Sequence, residues 1–224
     1  MRRNRVIKLG PNIPKDGHVQ GYAIIVDLNQ FNSMVSKAEE TGDLIAQFTR
    51  DALSGAIFEI EAEGGEVVAF MGDAVLGFMP DGEGVALACF GIAKDLDRQC
   101  EYISNAQDGK DYIGPFAPGG PSLKISIEYG MMDVSTIASR LLGEHRLLIG
   151  SPINYAARIS KAGIGNRCII GPAAAEKAFK QYSLDGPHQI AGKPGEPDYE
   201  YYIFDLADIW IDGPREPEKE TYLG

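Results

Sequence analysis

Residues 64–78 read GGEVVAFMGDAVLGF. Within this stretch, two apolar runs, Val67–Met71 and Ala74–Phe78, are separated by the pair Gly72-Asp73. Short apolar runs joined by a Gly-Asp pair predict a β-hairpin with a tight turn. The carboxylate of Asp73 is therefore expected at the end of two paired strands.

A second carboxylate, Asp27, ends the first apolar run of the chain. Residues Tyr22–Val26 have the composition of a buried strand, and Asp27 follows them directly. Two hard oxygen donors on neighbouring strands suit a phosphate-bound Mg²⁺ or Mn²⁺. Either aspartate alone is better explained as a turn or cap residue, but the pair favours a metal site in an enzyme that acts on a nucleoside triphosphate.

The remaining elements predict the fold class. Amphipathic patterns indicate helices over 43–61, 84–103, 153–161 and 172–179, the third with Ser151 as N-cap and Pro152 at its first position. Strands are predicted over 123–131 and 168–170, with a closing hairpin of 189–191 and 199–204, whereas 133–146 is ambiguous. This order predicts an α+β fold with a ferredoxin-like βαββαβ core, an antiparallel sheet carrying helices on one face. The first strand then lies beside the hairpin, so Asp27 and Asp73 can meet at one edge.

We divide the chain into an N-terminal arm (1–20), one domain (21–205) and a C-terminal tail (206–224). Glycine and proline residues predict a flexible loop over 106–121. The net charge of −11 argues against nucleic acid or an anionic membrane as a partner. No apolar run is long enough for a membrane span, and three scattered cysteines fit a reducing compartment, so we expect a cytoplasmic protein without membrane insertion.

Four motifs, in order, resemble the catalytic domain of class III nucleotide cyclases over roughly residues 20–205. Asp27-Leu28-Asn29-Gln30-Phe31 is similar to the family's Asp-Ile-x-Gly-Phe, and Gly64-Gly65 precedes Gly72-Asp73-Ala74. The segment 150–158, GSPINYAAR, resembles Gly-x-x-Val-Asn-x-Ala-x-Arg, and 192–197, GKPGEP, lies near the end. Each motif is weak alone, and their order and spacing make the resemblance.

The resemblance implies specific roles. Asp27, Asp73 and the backbone carbonyl of Leu28 would hold two divalent metal ions, Mn²⁺ or Mg²⁺, and backbone N–H groups around Phe31 would bind phosphate. Asn154 would orient the ribose and Arg158 would contact the transferring phosphate; they lie four residues apart and so share one helix face.

Other phosphate contacts are implied as well. Lys193 would meet the terminal phosphates, although an exposed turn lysine is the alternative. Arg140 and Arg146 are further phosphate candidates, and the choice between them is open.

The base-reading positions depart from the family. Purine cyclases place polar residues three before the hairpin glycine and three before the helix glycine, and here Ala69 and Leu147 stand there. Neither side chain can hydrogen-bond a base. Gln30 also replaces the usual glycine. With the metal and phosphate residues kept, this pattern resembles the stand-alone pyrimidine cyclases of bacterial antiphage (Pycsar) defence.

We therefore expect a lyase that converts UTP, or else CTP, into its 3′,5′-cyclic nucleotide, which acts on an effector. The family also implies a homodimer with two composite sites, in which one chain supplies the aspartates and the other the Asn/Arg pair. Two alternatives stay open: an adenylate or guanylate cyclase with an unusual base pocket, and a catalytically silent nucleotide-binding regulatory module.

Overall fold

The computed structural model describes residues 13–14, 16–29, 42–106, 122–140, 143–162 and 167–205. These residues form eight strands, four α-helices and a short 3₁₀ turn. The strands are β1 Gly17–Asn29, β2 Glu66–Phe70, β3 Ala74–Met79, β4 Ser122–Ser139, β5 Gly143–Ile149, β6 Arg167–Ile170, β7 Asp185–Ile190 and β8 Tyr199–Asp205. The helices are α1 Gly42–Ala62, α2 Gly82–Ala106, α3 Ser151–Ile159 and α4 Pro172–Ala178, and the 3₁₀ turn is Ser160–Ala162. No helix in this part of the chain is long and apolar enough to cross a membrane.

The strands form one sheet in the order β2-β3-β1-β4-β6-β8-β7, with β5 paired to the far half of β4. The pairs are antiparallel except β4 with β6, which is parallel. The predicted α+β class and the position of β1 beside the hairpin are confirmed. The β2–β3 turn falls at residues 71–73, as the Gly-Asp pair predicted.

The sheet is covered on both faces, so the prediction of helices on one face is wrong. One face, here called the helical face, carries alternate β1 residues such as Ile24 and Val26 against α1, α2 and α4. The other, here called the α3 face, carries Ala23 and Ile25 against Ala156 of α3. Because β1 is apolar on both sides, each side requires a cover, and α3 supplies the second one.

The ambiguous stretch 133–146 is the outer half of a long β4–β5 hairpin, with Asp133 paired to Ile149 and Ser139 to Gly143. This hairpin curls over the α3 face. Leu148 is buried in the same cluster as β3 residues, and Arg146 forms an ion pair with Glu66 of β2. The curl brings β5 against β2.

The starts of β1 and of α3 differ from the prediction. Strand β1 begins at Gly17, so residues 17–20 of the predicted arm are strand, and the Ile13 side chain is buried in the α3-face cluster. The N-cap of α3 is Gly150 rather than Ser151, and no side chain caps the helix. A Cβ at Gly150 would come within 3.0 Å of the Met131 carbonyl oxygen, which explains a glycine there. The predicted loop over 106–121, apart from Ala106 at the end of α2, and the tail 206–224 lie outside the described residues.

Candidate active site

Asp27 and Asp73 lie side by side at one edge of the sheet. Asp27 pairs in register with Ala74, the residue that follows Asp73. The N–H of Leu28 donates to the carbonyl oxygen of Asp73 at 3.2 Å, which locks the two backbones together. Because side chains alternate along a strand, Asp27 points to the α3 face with Ala23 and Ile25.

Lys124 is a neighbour of Asp27 that the sequence reasoning missed. Its Nζ lies 2.7 Å from Oδ2 of Asp27, and the two side chains are only 16% and 23% exposed. Lys124 is also the register partner of Asp27 on β4. The available signal was a lysine between Leu123 and Ile125, two buried residues of β4 that both face the helical side. The lysine therefore places a positive charge on the α3 face beside the carboxylate.

The donor set suits phosphate-bound divalent ions. Such ions keep several water and phosphate oxygens and need few protein ligands, so two carboxylates and the Leu28 carbonyl are a sufficient set. Within the described ranges, no group of three or more histidine, cysteine, aspartate or glutamate side chains could form a separate metal cage. Phe31, the predicted phosphate-binding position, lies outside the described residues.

Asn154 and Arg158 both lie on α3, away from its buried side, which is formed by Pro152, Ala156 and Ile159. Asn154 is exposed. The Arg158 guanidinium donates to Oε1 of Glu196 at 2.7 Å. This hydrogen bond, reinforced by the negative charge of the carboxylate, raises the pKa of Arg158 above its ordinary value. The arginine is therefore cationic at any physiological pH.

The turn between β7 and β8 carries both Lys193 and Glu196, the partner of Arg158. The Lys193 N–H donates to Oε2 of Glu196 at 3.2 Å, and the Glu196 N–H donates back to the Lys193 carbonyl at 2.8 Å. The Lys193 side chain is exposed. The structure thus joins the third and fourth sequence motifs at one place.

Within one chain, Arg158 is linked through Glu196 to Tyr199 of β8, which lies at a different level of the sheet from Asp27. Strand register gives a common level across the sheet, at which the paired residues of β1, β4, β6 and β8 are Ile24, Ile127, Ile170 and Tyr202. Strands β1 and β8 run in the same direction. Asp27 of β1 lies three residues beyond this level, whereas Tyr199 of β8, which contacts Glu196, lies three residues before it. At about 3.3 Å per residue, the levels of Asp27 and Tyr199 differ by about 20 Å along the sheet.

The two positions predicted to read the base, Ala69 and Leu147, lie on β2 and β5, which contact each other. A β-bulge interrupts β2, where Val67 pairs with Gly77 but Ala69 pairs with Leu76. Val67 packs on the helical face, whereas both Val68 and Ala69 pack on the α3 face. The bulge therefore turns Ala69 toward the α3 face. Leu147 on β5 is 40% exposed and points opposite to the buried Leu148.

Comparisons with solved structures give the fold. The guanylyl cyclase Cya2 has 15% sequence identity and a TM-score of 0.70 over 85% of this chain and 93% of that one. The adenylyl cyclase CyaB from P. aeruginosa has 15% identity and a TM-score of 0.63 over 86% and 97% of the two chains. The guanylate cyclase domain of RhGC from Catenaria anguillulae, in complex with GTP, has 16% identity and a TM-score of 0.62 over 84% and 98%.

This chain has the class III nucleotide cyclase fold. No family model matches its sequence. No curated protein matches it in sequence either.

Within this cyclase fold, the two open phosphate candidates differ in their surroundings. Arg146 forms the ion pair with Glu66 and donates to the carbonyl oxygen of Ile13 at 2.8 Å. It therefore connects β5, β2 and the segment before β1. Arg140 is exposed at the end of β4. Arg146 thus has a structural role that explains it without phosphate.

Glu128 on β4 is a buried carboxylate that the sequence reasoning missed. It is 5% exposed, and its Oε1 accepts the N–H groups of Tyr129 at 2.6 Å and Ala174 at 3.0 Å. Burial raises the pKa of Glu128, and these N–H groups partly oppose the rise. The residue also borders a surface depression of about 240 Å³ with Tyr155 and Pro172. Its contacts tie the start of α4 to β4.

Proposed function

We propose that this protein is a nucleotidyl cyclase that converts a pyrimidine nucleoside triphosphate, UTP favoured over CTP, into the 3′,5′-cyclic nucleotide and pyrophosphate. The observation that carries the proposal is the pairing of Asp27 and Asp73 at the sheet edge. The nucleotide cyclase fold supports it, because the structural neighbours are adenylyl and guanylyl cyclases.

In the proposed reaction, the ribose 3′ oxygen forms a bond to the α-phosphorus and the bond to the pyrophosphate oxygen breaks. The hydroxyl proton passes to solvent, and pyrophosphate leaves. Asp27, Asp73 and the Leu28 carbonyl would hold two divalent ions, Mn²⁺ or Mg²⁺, which would lower the pKa of the hydroxyl and neutralise phosphate charge. Lys124, beside Asp27, adds a positive charge to this half of the site.

The other half of the site would come from Asn154, Arg158 and Lys193. Asn154 would orient the ribose, Arg158 would stabilise charge on the transferring phosphate, and Lys193 would contact the terminal phosphates. Within one chain, Glu196 links Arg158 to Tyr199 of β8, whose level lies about 20 Å along the sheet from that of Asp27, and this favours a second chain as the source of the Asn/Arg pair. We therefore propose a homodimer in which each of two composite sites takes its aspartates from one subunit and its Asn/Arg pair from the other.

The base preference rests on Ala69 and Leu147. Neither side chain offers a hydrogen bond to a purine edge, and each missing partner costs about 1–3 kcal/mol, or roughly tenfold to a hundredfold in rate. This weakens purine recognition, and the pyrimidine choice itself rests on the resemblance stated above. A purine cyclase that reads its base through backbone groups is the second candidate. A silent nucleotide-binding module is the third.

By the same resemblance, we propose that residues 21–205 form the catalytic domain and that the protein works in the cytoplasm. The cyclic nucleotide would act as a second messenger for an effector in antiphage defence. The proposal that cyclase activity protects cells from phage would be tested by infecting cells that carry the gene, its Asp73→Ala variant, or neither. Equal phage yields in all three would contradict the defence role.

The experiment for the activity is turnover of the purified protein on ATP, GTP, CTP and UTP, each with Mn²⁺ and with Mg²⁺. Products are identified by liquid chromatography and mass spectrometry, and Asp73→Ala serves as the inactive control. We expect cyclic UMP or cyclic CMP as the product, with a kcat/KM for UTP or CTP above those for ATP and GTP. A higher kcat/KM for ATP or GTP would establish the purine alternative. Thermal stabilisation by a nucleotide without any product would establish the silent module.

A further inference from the structure

Glu196 contacts both of the cationic elements proposed for the phosphate side of the site. Its Oε1 accepts a hydrogen bond from Arg158 at 2.7 Å. Its Oε2 accepts the backbone N–H of Lys193 at 3.2 Å and the hydroxyl of Tyr199 at 3.3 Å. One carboxylate therefore links the helix that carries the arginine to the turn that carries the lysine.

The carboxylate is itself fixed in place. The Glu196 N–H donates to the Lys193 carbonyl at 2.8 Å, which closes the turn. With its backbone bonded and both oxygens engaged, Glu196 holds its partners in one geometry, which is what a supporting residue must do. The side chain of Glu196 is 31% exposed, so it lies at the edge of the site rather than in the core.

Helix α3 is also anchored to β8 by contacts that do not involve Glu196. The Tyr155 hydroxyl donates to the carbonyl of Glu200 at 2.9 Å and accepts the N–H of Glu200 at 3.0 Å. The Tyr155 ring also packs edge-on against Tyr199, with centroids 5.0 Å apart. A change at Glu196 should therefore act on the Arg158 side chain and the turn, with α3 left in place.

We propose that Glu196 is a positioning residue that fixes the Arg158 guanidinium and the Lys193 turn relative to each other for binding of a nucleotide's polyphosphate. This inference rests on the proposed function for the roles of Arg158 and Lys193. The guanidinium has five N–H donors and its partners here are Glu196 and the Tyr199 hydroxyl, so donors remain for phosphate. Misplacement of such a group by about 1 Å can cost a hundredfold in rate.

Positioning and simple charge competition have opposite consequences. If Glu196 only competes with phosphate for Arg158, removal of its charge should strengthen anion binding, because the local potential becomes more positive. If Glu196 has a positioning role, the same change should weaken binding, because the Arg158 guanidinium and the Lys193 turn lose their fixed geometry. The sign of the change therefore separates the two.

The test compares Glu196→Gln with Asp198→Asn. Asp198 lies in the same turn and accepts the Gly192 N–H at 3.3 Å, so its variant perturbs the turn without touching Arg158. The first readout is the affinity for inorganic triphosphate with Mg²⁺ by calorimetry, which needs no turnover. The second is kcat and KM on the preferred nucleotide.

We expect Glu196→Gln to weaken triphosphate binding about fivefold and to lower kcat about tenfold, more than it changes KM. Asp198→Asn should stay within about twofold of wild type. In the Arg158→Ala background, Glu196→Gln should weaken triphosphate binding by less than it does in the wild type, because its contact with Arg158 is already lost.

Three results would overturn the proposal: stronger or unchanged triphosphate binding by Glu196→Gln, an equal loss with Asp198→Asn, and absence of triphosphate binding by the wild type. Glu196→Asp, which keeps the charge but shortens the reach, replaces the glutamine variant if that variant fails to fold. A wild type that binds triphosphate but cyclises no nucleotide would contradict the proposed function and leave the positioning role supported.

Discussion

Replacement of Asp27 by asparagine should separate the chemical role of this residue from its structural role. Asparagine is nearly the same size, so the main structural loss is the ion pair with Lys124, which is 2.7 Å long and joins side chains only 16% and 23% exposed. An exposed pair contributes about 0–1 kcal/mol, whereas breaking a buried one costs about 3–5 kcal/mol. For this largely buried pair we expect the free energy of unfolding to fall by about 1–3 kcal/mol, which corresponds to a shift in Tm of roughly 2–12 °C for a chain of this size.

The effect on activity should be larger. Charge stabilisation by bound metal supplies several kcal/mol in the transition state. A loss of about 4 kcal/mol lowers the rate about a thousandfold. The assay measures cyclic product from the preferred nucleotide at saturating Mn²⁺, together with urea unfolding of the same preparation.

Lys124→Met is the matched control, because it removes the same ion pair and keeps the carboxylate. We expect a stability change of similar size and a smaller loss of activity than in Asp27→Asn. The metal assignment is refuted if Asp27→Asn keeps more than about a tenth of the wild-type kcat, since one lost ligand should cost far more. A stability loss above about 3 kcal/mol would show that the ion pair, rather than the site, explains the inactivity.

Two further predictions follow from the arrangement of the sheet and from burial. Asp73→Ala and Arg158→Ala should each be inactive, and their mixture should regain up to about a quarter of wild-type activity per site, because random exchange restores one intact site in each heterodimer; a mixture that exchanges subunits yet stays inactive would contradict the composite site. The free energy of unfolding of the wild type minus that of Glu128→Gln should decrease as pH rises from about 4 to 7. The reason is that the pKa of Glu128 is raised in the folded state, so the stabilisation from its bound proton is lost as pH rises above the ordinary value near 4.3. Urea unfolding of both proteins across this range measures the difference, and a difference that grows with pH would show that hydrogen bonds to the carboxylate outweigh its burial.

The local signals of the fold were readable because they depend on neighbouring residues. The hairpin at Gly72-Asp73, the long helices and the strand before Asp27 each follow from hydrophobic period and turn residues within a short window. The placement of β1 beside β3 followed from strand order alone. What these signals do not contain is the curl of the β4–β5 hairpin, since its outer half is stabilised by distant contacts such as Arg146 with Glu66.

The candidate site shows the same division. Asp27 and Asp73 could be paired from the sequence, since both end predicted strands of one small sheet. Lys124 could not be assigned, because its role depends on cross-strand register with Asp27. Glu196 was hidden for a similar reason, as 38 residues separate it from Arg158. Residue types indicate possible chemistry, but partners across the sheet depend on register.

The β-bulge in β2 determines on which face of the sheet Ala69, a position predicted to contact the base, lies. In an uninterrupted strand, Val67 and Ala69 would face the same side, and Val67 packs on the helical face. Ala69 would then be turned toward α1 and α2, away from any nucleotide held on the α3 face. The bulge reverses this, so that Ala69 lies on the face that also carries Asp27. The small side chain at position 69 is therefore part of the proposed site surface, and its lack of a hydrogen-bonding group bears directly on which base can be bound.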